Sequence, residues 1–85
     1  MVDNEIDVRI GANLRSLRIR NNLSLGMLAE VVGVTESRLL AFERGESRIG
    51  AALLSKMCSV LNVPPFAFFT WLSDQSASGH QLDAA

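Results

Sequence analysis

The chain has 85 residues, of which 48% are hydrophobic and 20% charged, enough apolar material for one small core and too much for a disordered segment. A single cysteine, Cys58, and a single histidine, His80, exclude an intramolecular disulfide and a metal-ligand set, and no run of 18 apolar residues offers a membrane span. The net charge of −1 hides a gradient, with eight basic and four acidic residues over 8–72 and Asp3, Glu5, Asp7, Asp74 and Asp83 at the ends, so the body is basic enough to permit phosphate binding.

The first five residues are acidic and lack the basic start of a secretory signal, so the expected location is cytoplasmic. Ile6, Ile10, Leu14 and Leu17 recur at helical spacing with arginines between them, which predicts an amphipathic helix over 6–20. Asn21 and Asn22 close it. Ser24 suits the N-cap of a short second helix holding Leu28, Ala29 and Val32 and ending at Gly33. Thr35 caps a third helix with Leu39 and Phe42 facing inward, and Gly45 stops it. After a loop over 46–50, a fourth helix buries Leu53, Leu54, Met57, Cys58 and Leu61. Pro65 suits the first turn of a fifth helix ending near Leu72. The expected organisation is a flexible start over 1–5, one all-α domain over 6–72 and a flexible tail over 73–85. Cys58 reads as a small core hydrophobe.

The second and third helices carry a physical signature of their own. A small residue at Ala29 lets the third helix cross close to the second, and Gly33 supplies the left-handed backbone of a tight turn. Leu39 plugs the angle between the two helices. Such a pair exposes the start of its second member, which can enter a major groove while the first lies across the backbone.

From Ile10 to Phe69 the chain resembles the Cro/CI-type (XRE) helix-turn-helix family. The matching pieces begin with Ile10-Gly11, Leu14, Leu17-Arg18, Leu23-Ser24, Leu28-Ala29-Glu30 and Gly33-Val34-Thr35. They continue with Phe42-Glu43-Arg44-Gly45, Arg48-Ile49 and Leu61-Asn62-Val63. The resemblance implies a five-helix, lambda-repressor-like domain, similar to small repressors and restriction–modification controller proteins, in which the third helix reads bases as half of a dimer. By position it implies base-reading roles for Thr35, Glu36, Ser37 and Arg38. Arg38 suits the O6 and N7 of guanine, and Glu36 suits the amine of cytosine. It implies phosphate contacts from Ser24, Arg44, Ser47 and Arg48, and a structural ion pair between Arg18 and Glu43.

The chain departs from the family pattern in two places. Leu25 and Gly26 follow the capping serine where the family usually has a glutamine first, and Leu40 and Ala41 occupy places where polar or basic groups are common. Leu40 suits a thymine methyl, or forms with Leu25 a small apolar patch for a protein partner. The last helix also holds more large residues than one stripe accommodates. Phe68, Phe69 and Leu72 are expected in the core, leaving Phe66 and Trp71 as anchors of a homodimer interface.

The leading expectation is a cofactor-free, dimeric DNA-binding repressor that reads an inverted repeat. Activation through contact with RNA polymerase or another regulator is a further option. The alternative from another class is an antiactivator or protein-interaction module that keeps the fold without specific DNA binding. An enzyme fits poorly, since His80 has no acid or nucleophile beside it and the bundle has no room for a catalytic pocket.

Overall fold

The computed structural model describes residues 5–70. They form four α-helices, α1 (Glu5–Arg20), α2 (Leu25–Val32), α3 (Glu36–Arg44) and α4 (Ala51–Leu61), followed by a 3-10 helix at Pro65–Phe69. No strand occurs among the described residues, and none of their helices is long and apolar enough to cross a membrane.

Local chemistry fixes where the helices start and stop. The hydroxyls of Ser24 and Thr35 accept hydrogen bonds of 3.1 Å from the amides of Met27 and Arg38, capping α2 and α3. All four α-helices end on a left-handed residue: Asn22, Gly33, Gly45 and Asn62. After each of these, the next amide reaches back five residues to a helical carbonyl, at 2.9–3.1 Å, which occupies acceptors that a helix end otherwise leaves open. In α1, Glu5 and Asp7 lie in the first turn and Arg18 and Arg20 in the last, the arrangement that complements the helix dipole.

The helices close around one core. α1 packs on α3 and the 3-10 helix, α2 on α3 and α4, and α4 on the 3-10 helix. Leu14, Leu28, Leu39, Phe42, Met57, Leu61 and Phe68 have essentially no exposed surface, each burial contributing about 1.5–3 kcal/mol. Ala29 is buried where α2 meets α3. Two glycines permit the approach of α1. A β-carbon on Gly11 would collide with the backbone oxygens of Phe42 and Glu43, and one on Gly45 would stand 2.5 Å from the α-carbon of Val8.

The structure differs from expectation in three places. Ile6 is 57% exposed, because α1 meets the end of α3 at Val8 and its first turn runs past the edge of the core. Helix α1 starts at Glu5, which belongs to the folded body and not to a terminal extension. Where a fifth α-helix was expected, Pro65–Phe69 is a 3-10 helix. Prolines 64 and 65 supply no amide donors, and the carbonyl of Phe68 accepts from the side chain of Asn13 at 2.8 Å, so it is engaged outside its own helix. Phe68 is buried and Phe69 half-buried. Leu72 and the proposed tail over 73–85 lie outside the described residues. Cys58 is buried, and burial pushes its thiol above the ordinary range, which disfavours the reactive thiolate.

Candidate nucleic-acid interface

Three of the four residues expected to read bases form the start of α3, and the fourth caps it. Thr35, Glu36, Ser37 and Arg38 are all exposed. Helical geometry then divides them. Leu39, Phe42 and Glu43 define the buried face of α3, so Ser37 and Arg44 lie on the outermost ridge, with Leu40 and Ala41 beside them. Glu36 and Arg38 stand on opposite flanks. The Arg38 guanidinium lies 5.3 Å from the ring centre of Phe42, within cation–π range. It faces a shallow groove that it shares with Glu30, Val34, Thr35 and Leu53. On the other flank, the carboxylate of Glu36 lies over Gly26, near the start of α2.

That contact brings the starts of α2 and α3 together. Ser24 and Thr35 are both exposed, and each hydroxyl already accepts a backbone amide. A hydroxyl that accepts still has its own proton to donate, so each cap retains a donor suited to a phosphate oxygen. The expected phosphate residues bracket α3 in sequence and in space. Ser24 stands by its start, while Arg44 ends it and Ser47 and Arg48 follow in the loop. The nine residues of α3 span about 13 Å.

Arg44 is exposed and has no ion-pair partner among the described residues, and Ser47 is half-buried. Arg48 is engaged. Its Nε and Nη2 donate to Asp7 at 3.2 and 3.4 Å, with the arginine side chain 73% and the aspartate 12% exposed. The sequence reading assigned Asp7 to an acidic end. It belongs to the folded body, and so does Glu5, which pairs with Arg9 at 3.2 Å. Residues 5–70 therefore carry eight basic and six acidic groups, a smaller positive surplus than the sequence partition suggested.

Behind this surface, Arg18 and Glu43 join α1 to α3. The arginine donates from Nε and Nη2 to the two carboxylate oxygens at 2.6 and 3.1 Å, and from Nη1 to the carbonyl of Leu23 at 2.9 Å. Its pKa is raised, first by the hydrogen bonds to Glu43 and further by the charge there, against an opposing effect of burial. The pair anchors the end of α3 from the inside and does not face solvent.

The apolar patch expected from Leu25 and Leu40 takes a different form. Both are half-buried, and Leu25 packs against the core. The exposed large hydrophobics of the second helix are Met27 and Val31, 52% each. Phe66 is 56% exposed on the 3-10 helix, and Trp71 lies outside the described residues. Sequence reasoning did not single out Asp7 as a partner or Gly26 as a seat for Glu36. It also passed over Lys56, whose ammonium lies near the Gly33 turn. Asp7 stands two residues before Arg9 in the sequence, and nothing in that spacing points to a partner 41 positions away.

Residues 14–68 match the helix-turn-helix family HTH_3. The chain is 33% identical over 75 residues to an uncharacterized HTH-type transcriptional regulator of Sinorhizobium fredii, covering 88% of this chain and 52% of that protein. It is 40% identical over 75 residues to the HTH-type transcriptional regulator SutR of Escherichia coli, covering 87% and 40%. The chain thus spans about half the length of such relatives or less. Among solved structures, it is similar to the restriction–modification controller protein C.AhdI of Aeromonas hydrophila, with a TM-score of 0.69, 29% identity and coverage of 73% of this chain and 94% of that one. A transcriptional regulator of the same family from Vibrio cholerae gives 0.72, 37%, 80% and 38%. The matching proteins are regulators and not enzymes.

Proposed function

The chain belongs to the helix-turn-helix family HTH_3, and on that footing we propose that it is a dimeric, sequence-specific repressor of transcription that reads an inverted repeat in double-stranded DNA. The observation that carries this reading is the exposed start of α3, with two capping hydroxyls beside it and Arg44 on the same outward ridge. In this arrangement α3 enters the major groove. Thr35, Ser37 and the flanking Glu36 and Arg38 meet base edges, with Arg38 leaving Phe42 to reach a guanine. Ser24, Arg44, Ser47 and Arg48 hold phosphates on either side.

A second copy, docked through Phe66 and Trp71, sets the two third helices about 34 Å apart, one turn of duplex. Occlusion of a promoter is the simplest outcome, and contact with RNA polymerase or another regulator is the activating variant. The protein-interaction alternative draws support from Met27 and Val31, which stand one turn apart and exposed on α2.

Selection of the purified protein from a random duplex library at moderate salt tests the proposal, with Arg38→Ala and Arg44→Glu as comparators. An enriched inverted repeat, relaxed at one position per half-site by Arg38→Ala and lost with Arg44→Glu, supports it. A folded protein that enriches nothing rejects it in favour of the protein-interaction reading.

A further inference from the structure

Gly26 occupies the second position of an eight-residue helix, where alanine would be the better helix former by up to about 1 kcal/mol. Its backbone conformation is ordinary for a helix, so no turn demands it. What sits above it accounts for the choice. A β-carbon on Gly26 would stand 2.5 Å from Oε2 of Glu36 and 3.3 Å from its Cδ. The missing side chain leaves a notch in α2, and the Glu36 carboxylate fills it.

The first turn of α2 contains no acidic residue, so Glu36 brings from α3 the negative charge that a helix N-terminus favours. The carboxylate makes no hydrogen bond or ion pair with another described side chain, so its acceptor capacity remains open. A glutamate on a bare helix surface samples many rotamers, whereas one seated in a notch is held in one direction.

We infer that Gly26 is a specificity-determining position: its notch seats the Glu36 carboxylate at the junction of α2 and α3, where it accepts from the amine of a cytosine in each half-site. This rests on the proposed reading of DNA through α3. Carboxylates pair with the cytosine N4 amine in the major groove, and a seated carboxylate presents its oxygens in a fixed direction. Gly26 touches no base itself and acts by positioning Glu36.

The test selects wild type, Gly26→Ala, Glu36→Gln and the double variant from a random duplex library, alongside an NMR measurement on the free protein. Wild type is expected to require cytosine at one position per half-site. Gly26→Ala should weaken that preference by at least about fivefold, the lower end of what one base contact discriminates, and leave the rest of the motif intact. In the Glu36→Gln background the same substitution should change nothing further. The thermal midpoint of Gly26→Ala should not fall, because alanine favours the helix and the displaced atoms end a flexible side chain. A nuclear Overhauser contact between Gly26 Hα and the Glu36 Hγ protons should appear without DNA. A wild-type motif that Gly26→Ala leaves unchanged overturns this inference alone, as does absence of the NMR contact. A wild type that selects no motif overturns the regulator reading and this inference together.

Discussion

Arg18 and Glu43, 25 positions apart, clasp α1 to α3 through two hydrogen bonds, with the carboxylate side chain only 2% exposed. Removing one partner leaves the other charge stranded in the interior, a loss of about 3 kcal/mol or more. Glu43→Leu and Arg18→Met are each expected to lower stability by that amount in urea denaturation. The paired replacement Arg18→Met with Glu43→Leu should cost much less than the sum. Additive losses in that double-mutant cycle would show that the two groups do not depend on each other.

Gly11 has no room for a methyl group. Its missing side chain faces main-chain oxygens of Phe42 and Glu43, which cannot swing aside as a side chain can. Gly11→Ala is expected to destabilise by roughly 3 kcal/mol, the upper part of the overpacking range, measured by thermal or urea unfolding. A stable Gly11→Ala protein would mean that α1 and α3 sit further apart than described.

Asp7 competes for the guanidinium that the proposed interface assigns to a phosphate. Asp7→Asn should free Arg48, tighten DNA binding several-fold and raise the slope of log affinity against log salt by about one phosphate contact. Stability should change by less than about 1 kcal/mol, because the arginine side of the pair is exposed. In an Arg48→Ala background the gain should vanish. Binding isotherms at several salt concentrations decide the matter, and unchanged affinity in Asp7→Asn removes Arg48 from the phosphate set.

Phe66 tests the dimer. It is more than half exposed, so Phe66→Ser should cost little in stability, within about 0.5 kcal/mol. Sedimentation at tens of micromolar should show a dimer for wild type and a monomer for the variant. A monomeric wild type at that concentration rules out the arrangement.

Much of the fold was legible because its signals are local. Ser24, Thr35, Gly33 and Gly45 announce their roles by residue type and position, and the core residues Leu14, Leu28, Leu39, Phe42, Met57 and Leu61 follow from helical period. Asn62 is the same kind of signal as Gly33 but went unread as a helix stop, since asparagine enters the left-handed region less routinely than glycine. The sequence misled where the outcome depends on distant neighbours. The exposure of Ile6 follows from where α1 crosses α3. The 3-10 geometry of Pro65–Phe69 involves a hydrogen bond from Asn13, 55 positions away. Of the candidate interface, the exposed start of α3 was legible from its cap and period. The engagement of Arg48 by Asp7 and of Glu36 by the Gly26 notch was not, because surface charges carry no periodic pattern that names their partners.

The left-handed stops at Asn22, Gly33, Gly45 and Asn62 bear on how quickly the chain finds its shape. Each is closed by hydrogen bonds between residues no more than five positions apart, so helix boundaries can be drawn before any distant parts of the chain have met. Chains dominated by such short-range closures cross their folding barriers in microseconds to milliseconds. The Arg18–Glu43 clasp is the opposite kind of contact, bridging two helices and two turns. Assigned to the late side of the barrier, its loss would hasten unfolding and leave the rate of folding nearly untouched, making the clasp a brake on escape from the native state.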